Sequence, residues 1–87
     1  MLDKIKLALR ISDDTFDDEL KDLQSACHQD LRISGVKNID EADALVTRAI
    51  ILYCKANFGF GDDKEKFAHA YEALKTSMSL SGDYRYG

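Results

Sequence analysis

Residues 45–61, LVTRAIILYCKANFGFG, carry apolar side chains on too many sides for a helix that lies on a protein surface. At about 100° per residue, Leu45, Val46, Ala49, Ile50, Leu52, Tyr53 and Ala56 fill one broad arc. Thr47, Ile51, Cys54 and Phe58, at spacings of four, three and four, form a second stripe behind it. Arg48 and Lys55 mark the clearly solvated edge. A helix that is apolar nearly all round must be covered nearly all round, and a chain of 87 residues has few other elements to do it. The second stripe is therefore expected to lie at least partly against another subunit, or beneath the C-terminal tail.

The length fits one small domain. Folding at this size hides about 60–65% of the surface the unfolded chain exposes, so association is a natural source of further stability. Charged residues make up 32% and hydrophobic ones 45%, and proline is absent. That profile belongs to a globular, largely helical protein rather than a disordered one. The net charge of −4, with basic residues scattered singly, argues against a free-standing nucleic-acid binder. Cys27 and Cys54 sit among apolar helical positions and read as buried free thiols in a reducing compartment. No apolar run approaches the ~20 residues needed to cross a bilayer, so no membrane partner is expected.

Four helical windows follow one another. The first, 2–10, sets Leu2, Ile5 and Leu9 on one face and ends near Ser12-Asp13-Asp14. The second, about 15–33, repeats Phe16, Leu20, Leu23, Cys27 and Leu31, with acids crowding the positive end of its dipole. Gly35 is its expected left-handed stop. The third begins with Asp40 as N-cap and ends in Asn57-Phe58-Gly59-Phe60-Gly61; Asp62 or Asp63 caps the fourth, where Phe67, Tyr71, Leu74 and Met78 form the stripe. Residues 79–87 show no helical period, and no segment alternates with period two. The expected fold is all-α: a small four-helix domain over 1–78 with a short irregular C-terminal tail over 79–87.

Chemistry is hard to find in this chain. The acids at the start of the second window look alike and exposed, whereas acid–base catalysis needs carboxylates in unlike environments. His28 adjoins Cys27, but neighbours on a helix point about 100° apart and cannot hold one ion together. None of Cys27, Cys54, His28 and His69 has paired zinc spacing, so His28 and His69 read as surface residues. Gly59-Phe60-Gly61 lacks a preceding strand and any phosphate-loop pattern. No catalytic, cofactor-binding or metal site is expected, and the chain does not read as an enzyme. Phe58 and Phe60 have two readings: core plugs over the third and fourth helices, or extensions of the Thr47/Ile51/Cys54 stripe into a subunit contact.

Several segments resemble the small head–tail connector, or adaptor, proteins of long-tailed bacteriophages and prophages. They run from Leu2-Asp3-Lys4-Ile5-Lys6 through Leu9-Arg10-Ile11-Ser12 and Phe16-Asp17-Asp18-Glu19-Leu20 to Asp30-Leu31 and Ser34-Gly35-Val36. Arg48-Ala49-Ile50-Ile51 with Tyr53, Lys55-Ala56-Asn57-Phe58-Gly59, Tyr71-Glu72-Ala73-Leu74-Lys75 and Ser79-Leu80-Ser81 continue the likeness. It spans nearly the whole chain in order, and its weight lies in the ordered set rather than in one motif.

The resemblance implies a structural virion protein. Such proteins form a ring, typically of twelve copies, below the portal, which extends the DNA channel and presents a surface to the next neck or tail-completion protein. DNA would pass without specific binding, and the chain would work at the head–tail interface after assembly in the host cytoplasm. C-terminal segments in the family help attach the ring to the portal. Tyr84, Arg85 and Tyr86, of residue types that often dominate interfaces, are thus the candidate portal anchors in a tail that orders on contact. Read without the resemblance, the chain has one alternative: a small helical adaptor or regulatory module that binds a partner protein as a monomer or dimer.

Overall fold

The structure, a computed structural model, describes residues 1–58 and 63–85. The expected terminator glycines Gly59 and Gly61, together with Phe60, Asp62, Tyr86 and Gly87, lie outside the described residues. Five helices follow one another: α1 (Leu2–Leu9), α2 (Asp17–Ile33), α3 (Ala44–Asn57), α4 (Lys64–Leu80) and a single turn, α5 (Gly82–Arg85). No strand occurs among the described residues, so the fold is all-α as expected.

Local chemistry sets the boundaries. Arg10 closes α1 in the left-handed conformation, φ 60° and ψ 41°, and its N–H and that of Ile11 bond to the last-turn carbonyls of Leu7 and Lys6. Lys6 then ties the following link down, 3.0 Å from Asp14 and 2.9 Å from Asp17. Gly35 stops α2 at φ 100°, where any side chain would be strained although space is open around it. α3 starts later than the sequence suggests. Asp43, not Asp40, is its N-cap, its carboxylate accepting from the backbone N–H groups of Leu45 (2.8 Å) and Val46 (3.3 Å). Asp40 instead holds the preceding turn by accepting from the N–H of Ala42 at 3.0 Å.

α3 is the central element: α1, α2 and α4 all pack on it, with α3 against α4 the most extensive pairing. Lys55 faces Phe67 and Tyr53 faces Tyr71, so residue numbers fall along α3 as they rise along α4, and the two run antiparallel. One continuous core results, from Ile5 of α1 through Leu20, Cys27 and Leu31 of α2 and Val36 to Val46, Ala49, Ile50, Leu52 and Cys54 of α3, and Tyr71 and Met78 of α4.

Two expectations change here. The second stripe of α3 is largely covered by the chain itself: Cys54 is 0% exposed and Phe58 8%. Part of the cover comes from the link after α1, where Phe16 packs edge-on against Phe58 at 5.2 Å between ring centroids, and α1 also packs on α3. The C-terminal segment is also more ordered than its sequence suggests. α4 runs to Leu80, two residues past the expected end, and α5 folds back onto the domain.

Candidate assembly surfaces

Thr47, Ile51, Cys54 and Phe58 do not form one accessible stripe. Thr47 and Ile51 remain half-buried, and the Thr47 hydroxyl donates to the carbonyl of Glu41 at 2.9 Å. Cys54 is sealed inside, and Phe58 keeps only a small exposed edge, which lines a groove at the end of α3. In the folded monomer a neighbouring subunit can reach Thr47, Ile51 and that edge of Phe58.

Among the described residues the exposed large apolar side chains lie elsewhere: Leu7 at 80%, Ile33 at 85%, Leu80 at 74% and Leu45 at 45%. Sequence reading passed over Leu7, Ile33 and Leu80. The signal was present, because each falls outside the spacing of its helix's core stripe. Leu7 stands two residues from the buried Ile5, about 200° round the helix. Ile33 and Leu80 close α2 and α4, near the connection on which α5 rests.

α5 is held there by polar bonds. The backbone N–H groups of Lys37 and Asn38 both donate to the carbonyl of Tyr84, at 2.7 and 3.0 Å. The Asn38 side-chain amide donates to the carbonyl of Asp83 at 3.0 Å. The Tyr84 hydroxyl reaches the carboxylate that caps α3, 3.0 and 3.1 Å from the two oxygens of Asp43. Burial alone would raise the Asp43 carboxyl, but the donors from Leu45, Val46 and Tyr84 outweigh it and hold it below the ordinary aspartate range. Tyr84 is thus engaged within its own chain, and Arg85 is exposed.

A second polar chain lies deeper. The Cys27 thiol donates to the Tyr71 hydroxyl oxygen at 3.8 Å, and that hydroxyl donates to Asp30 Oδ2 at 2.6 Å. Lys75 Nζ donates to the same oxygen at 3.0 Å and lies 2.8 Å from Glu72. Desolvation, with the hydrogen bond to Asp30, pushes the Tyr71 phenol far above its usual range. Burial likewise pushes the Cys27 thiol up to about 12 and the Cys54 thiol up to about 11. Both cysteines are buried, free and protonated at neutral pH, the opposite of what a thiolate nucleophile needs.

Among the described residues, no three His, Cys, Asp or Glu side chains converge as metal ligands. His69 is exposed. His28 is half-buried, its Nε2 3.1 Å from Glu41 Oε2, an oxygen that also accepts from the Gln24 amide. Among the described residues no helix is long and apolar enough to cross a membrane.

Over residues 1–85 the sequence matches the family described as phage connector protein. The chain belongs to that family. Phage connector proteins are structural rather than enzymatic, components of the virion that associate with other head and tail proteins. Comparison with curated proteins, and with solved structures, finds no match for the chain. Membership in the phage connector family and the all-helical fold agree with the likeness carried by the ordered segments of the sequence.

Proposed function

We propose that this phage connector protein is a head–tail connector subunit that forms a ring, a dodecamer as its resemblance implies, beneath the portal, extending the DNA channel and joining head to tail. The observation that carries the reading is the family match over residues 1–85. The solvated Leu7, Ile33 and Leu80 are apolar side chains that a neighbouring subunit would cover in such a ring. The acidic balance suits a channel wall, which must let DNA slide without gripping it. Thr47 and Ile51 offer their exposed parts to a neighbouring subunit. Arg85, with Tyr86 beyond the described residues, is the candidate portal contact. Tyr84 can join them only by leaving Asp43.

The test is a nonsense mutation in the gene within its phage. DNA-filled heads and finished tails should accumulate unjoined, and added purified protein should restore joining. Joined, infectious particles formed without the protein would overturn the reading and favour the adaptor alternative. Ile51→Asp should keep the helical fold while lowering attachment to heads.

A further inference from the structure

The C-terminal ends of α1 and α3 and the N-terminal end of α4 enclose a groove. Leu9, Phe58 and Phe67 form its apolar lining, and Arg10, Lys55 and Lys64 bring three cations to it, against Asp63 as the one carboxylate among the described lining residues. In a chain of net charge −4 this is a local reversal of sign. None of the three cations forms an ion pair among the described residues. Lys55 Nζ is instead held over the Phe67 ring, 5.0 Å from its centroid. Arg10 is the one non-glycine with positive φ among the described residues. Glycine would take that conformation without strain, yet the position carries a guanidinium and places it at the groove. An anionic occupant is what this arrangement fits.

The chain carries such an occupant on another element. Asp18, Glu19 and Asp22 are exposed on the first turns of α2 and make no ion pair among the described residues, whereas Asp14 and Asp17 are taken by Lys6. Asp18 and Asp22, one turn apart, share a face, with Lys21 the one cation beside them. No residue of α2 lines the groove. The packing of Phe16 against Phe58 nevertheless holds the start of α2 at the same end of the bundle as the groove. Within the chain these two complementary surfaces do not satisfy each other, since no α2 residue lines the groove and no ion pair among the described residues joins them. Between copies they make a head-to-tail contact, which closes into a ring when the rotation allows.

We propose that the groove receives the acidic first turns of α2 from a second copy of this chain, so that the Arg10/Lys55/Lys64 side of each subunit grips the Asp18/Asp22 side of the next. The proposal rests on the ring reading above and adds the faces that meet. Charge reversal tests it in the full chain, by sedimentation at low ionic strength and by attachment to portal-bearing heads. Arg10→Glu with Lys64→Glu reverses the groove, and Asp18→Lys with Asp22→Lys reverses the ridge. All four positions are exposed, and circular dichroism checks that the variants fold. Each pair alone should weaken self-association at least tenfold. An equimolar mixture of the two variants, or one chain carrying all four changes, should restore it. Assembly that survives both reversals, or a mixture that fails to recover, overturns the pairing while leaving the ring reading intact. A folded wild-type chain that associates neither in solution nor on heads removes both.

Discussion

Two tyrosines in this protein make the same bond in different settings. Tyr71 donates its hydroxyl to Asp30 and Tyr84 donates its hydroxyl to Asp43, each across 41 residues. Tyr71 is 3% exposed, with Tyr53 edge-on at 5.2 Å and Lys75 over its ring at the same distance. Tyr84 is half-buried, on a single turn held by hydrogen bonds at the rim. The first bond locks α2 to α4 through the core, and the second fastens α5 across the start of α3. Identical chemistry therefore belongs to the framework in one place and to a clasp in the other. Burial decides which, because an unpaired polar group costs most where water cannot replace its partner.

Tyr71→Ala is the hardest blow to the framework side. It removes a buried ring and empties the junction of α2, α3 and α4, a loss of about 3–5 kcal/mol by analogy with other aromatic truncations. Urea or thermal unfolding should show Tm lower by more than about 10 °C. A shift of a degree or two would mean that the core closes over the gap and the contrast with Tyr84 is false. Tyr71→Phe keeps the ring and removes only the hydroxyl. Asp30 retains Lys75 and stays partly solvated, so the expected cost falls to roughly 1–2 kcal/mol. A loss equal to that of Tyr71→Ala would show that the polar chain, not the packed ring, carries the junction.

The clasp side should respond less. Ending the chain after Leu80 removes α5 and uncovers the apolar side chains on which Tyr84 packs. The freed N–H groups of Lys37 and Asn38 are exposed and take water. The helical signal should stay nearly intact, with Tm down by only a few degrees. Collapse of the fold would make α5 part of the framework.

How far the sequence reveals these regions follows from what periodicity can see. The stripes of α2 and α4 were legible because a stripe bound for one core repeats at three and four residues. Gly35 was legible because its conformation selects glycine. The cover over Phe58 was not, because periodicity sets Phe16 on a stripe without saying which ring it meets, and α1 is too short for its stripe to reveal where it packs. α5 was hidden for a related reason. One helical turn has no period, and backbone bonds from Lys37 and Asn38 leave no mark in residue type. Asp43 rather than Asp40 caps α3 because Asp40 is engaged in the preceding turn, a contact that residue type alone does not reveal. Of the stripe Thr47, Ile51, Cys54 and Phe58, only the first two stay half-buried, and Leu7, Ile33 and Leu80 needed only to be read as apolar residues out of register.

The smallest effect concerns acid. Both Asp30 and Asp43 have carboxyls held below the ordinary aspartate range, in each case because donated hydrogen bonds outweigh desolvation. A carboxyl whose pKa is lower in the folded state adds stability above its unfolded value, about 3.9, and that stability is lost as pH falls through the folded value. Wild-type protein should therefore hold its Tm from neutral pH down to about 4 and lose it progressively below. Tyr84→Phe removes one of the three donors to Asp43 and leaves the backbone donors of Leu45 and Val46 in place, so its acid limb should be only slightly shallower. Tyr71→Phe removes the hydroxyl donor from Asp30 and leaves Lys75 alone, so its limb should flatten more. Melting curves of the three proteins between pH 2 and pH 7 measure both slopes. Equal flattening in the two variants would mean that solvent reaches the Asp30 pair as freely as the Asp43 clasp, and the distinction between framework and clasp would fail on the electrostatic side.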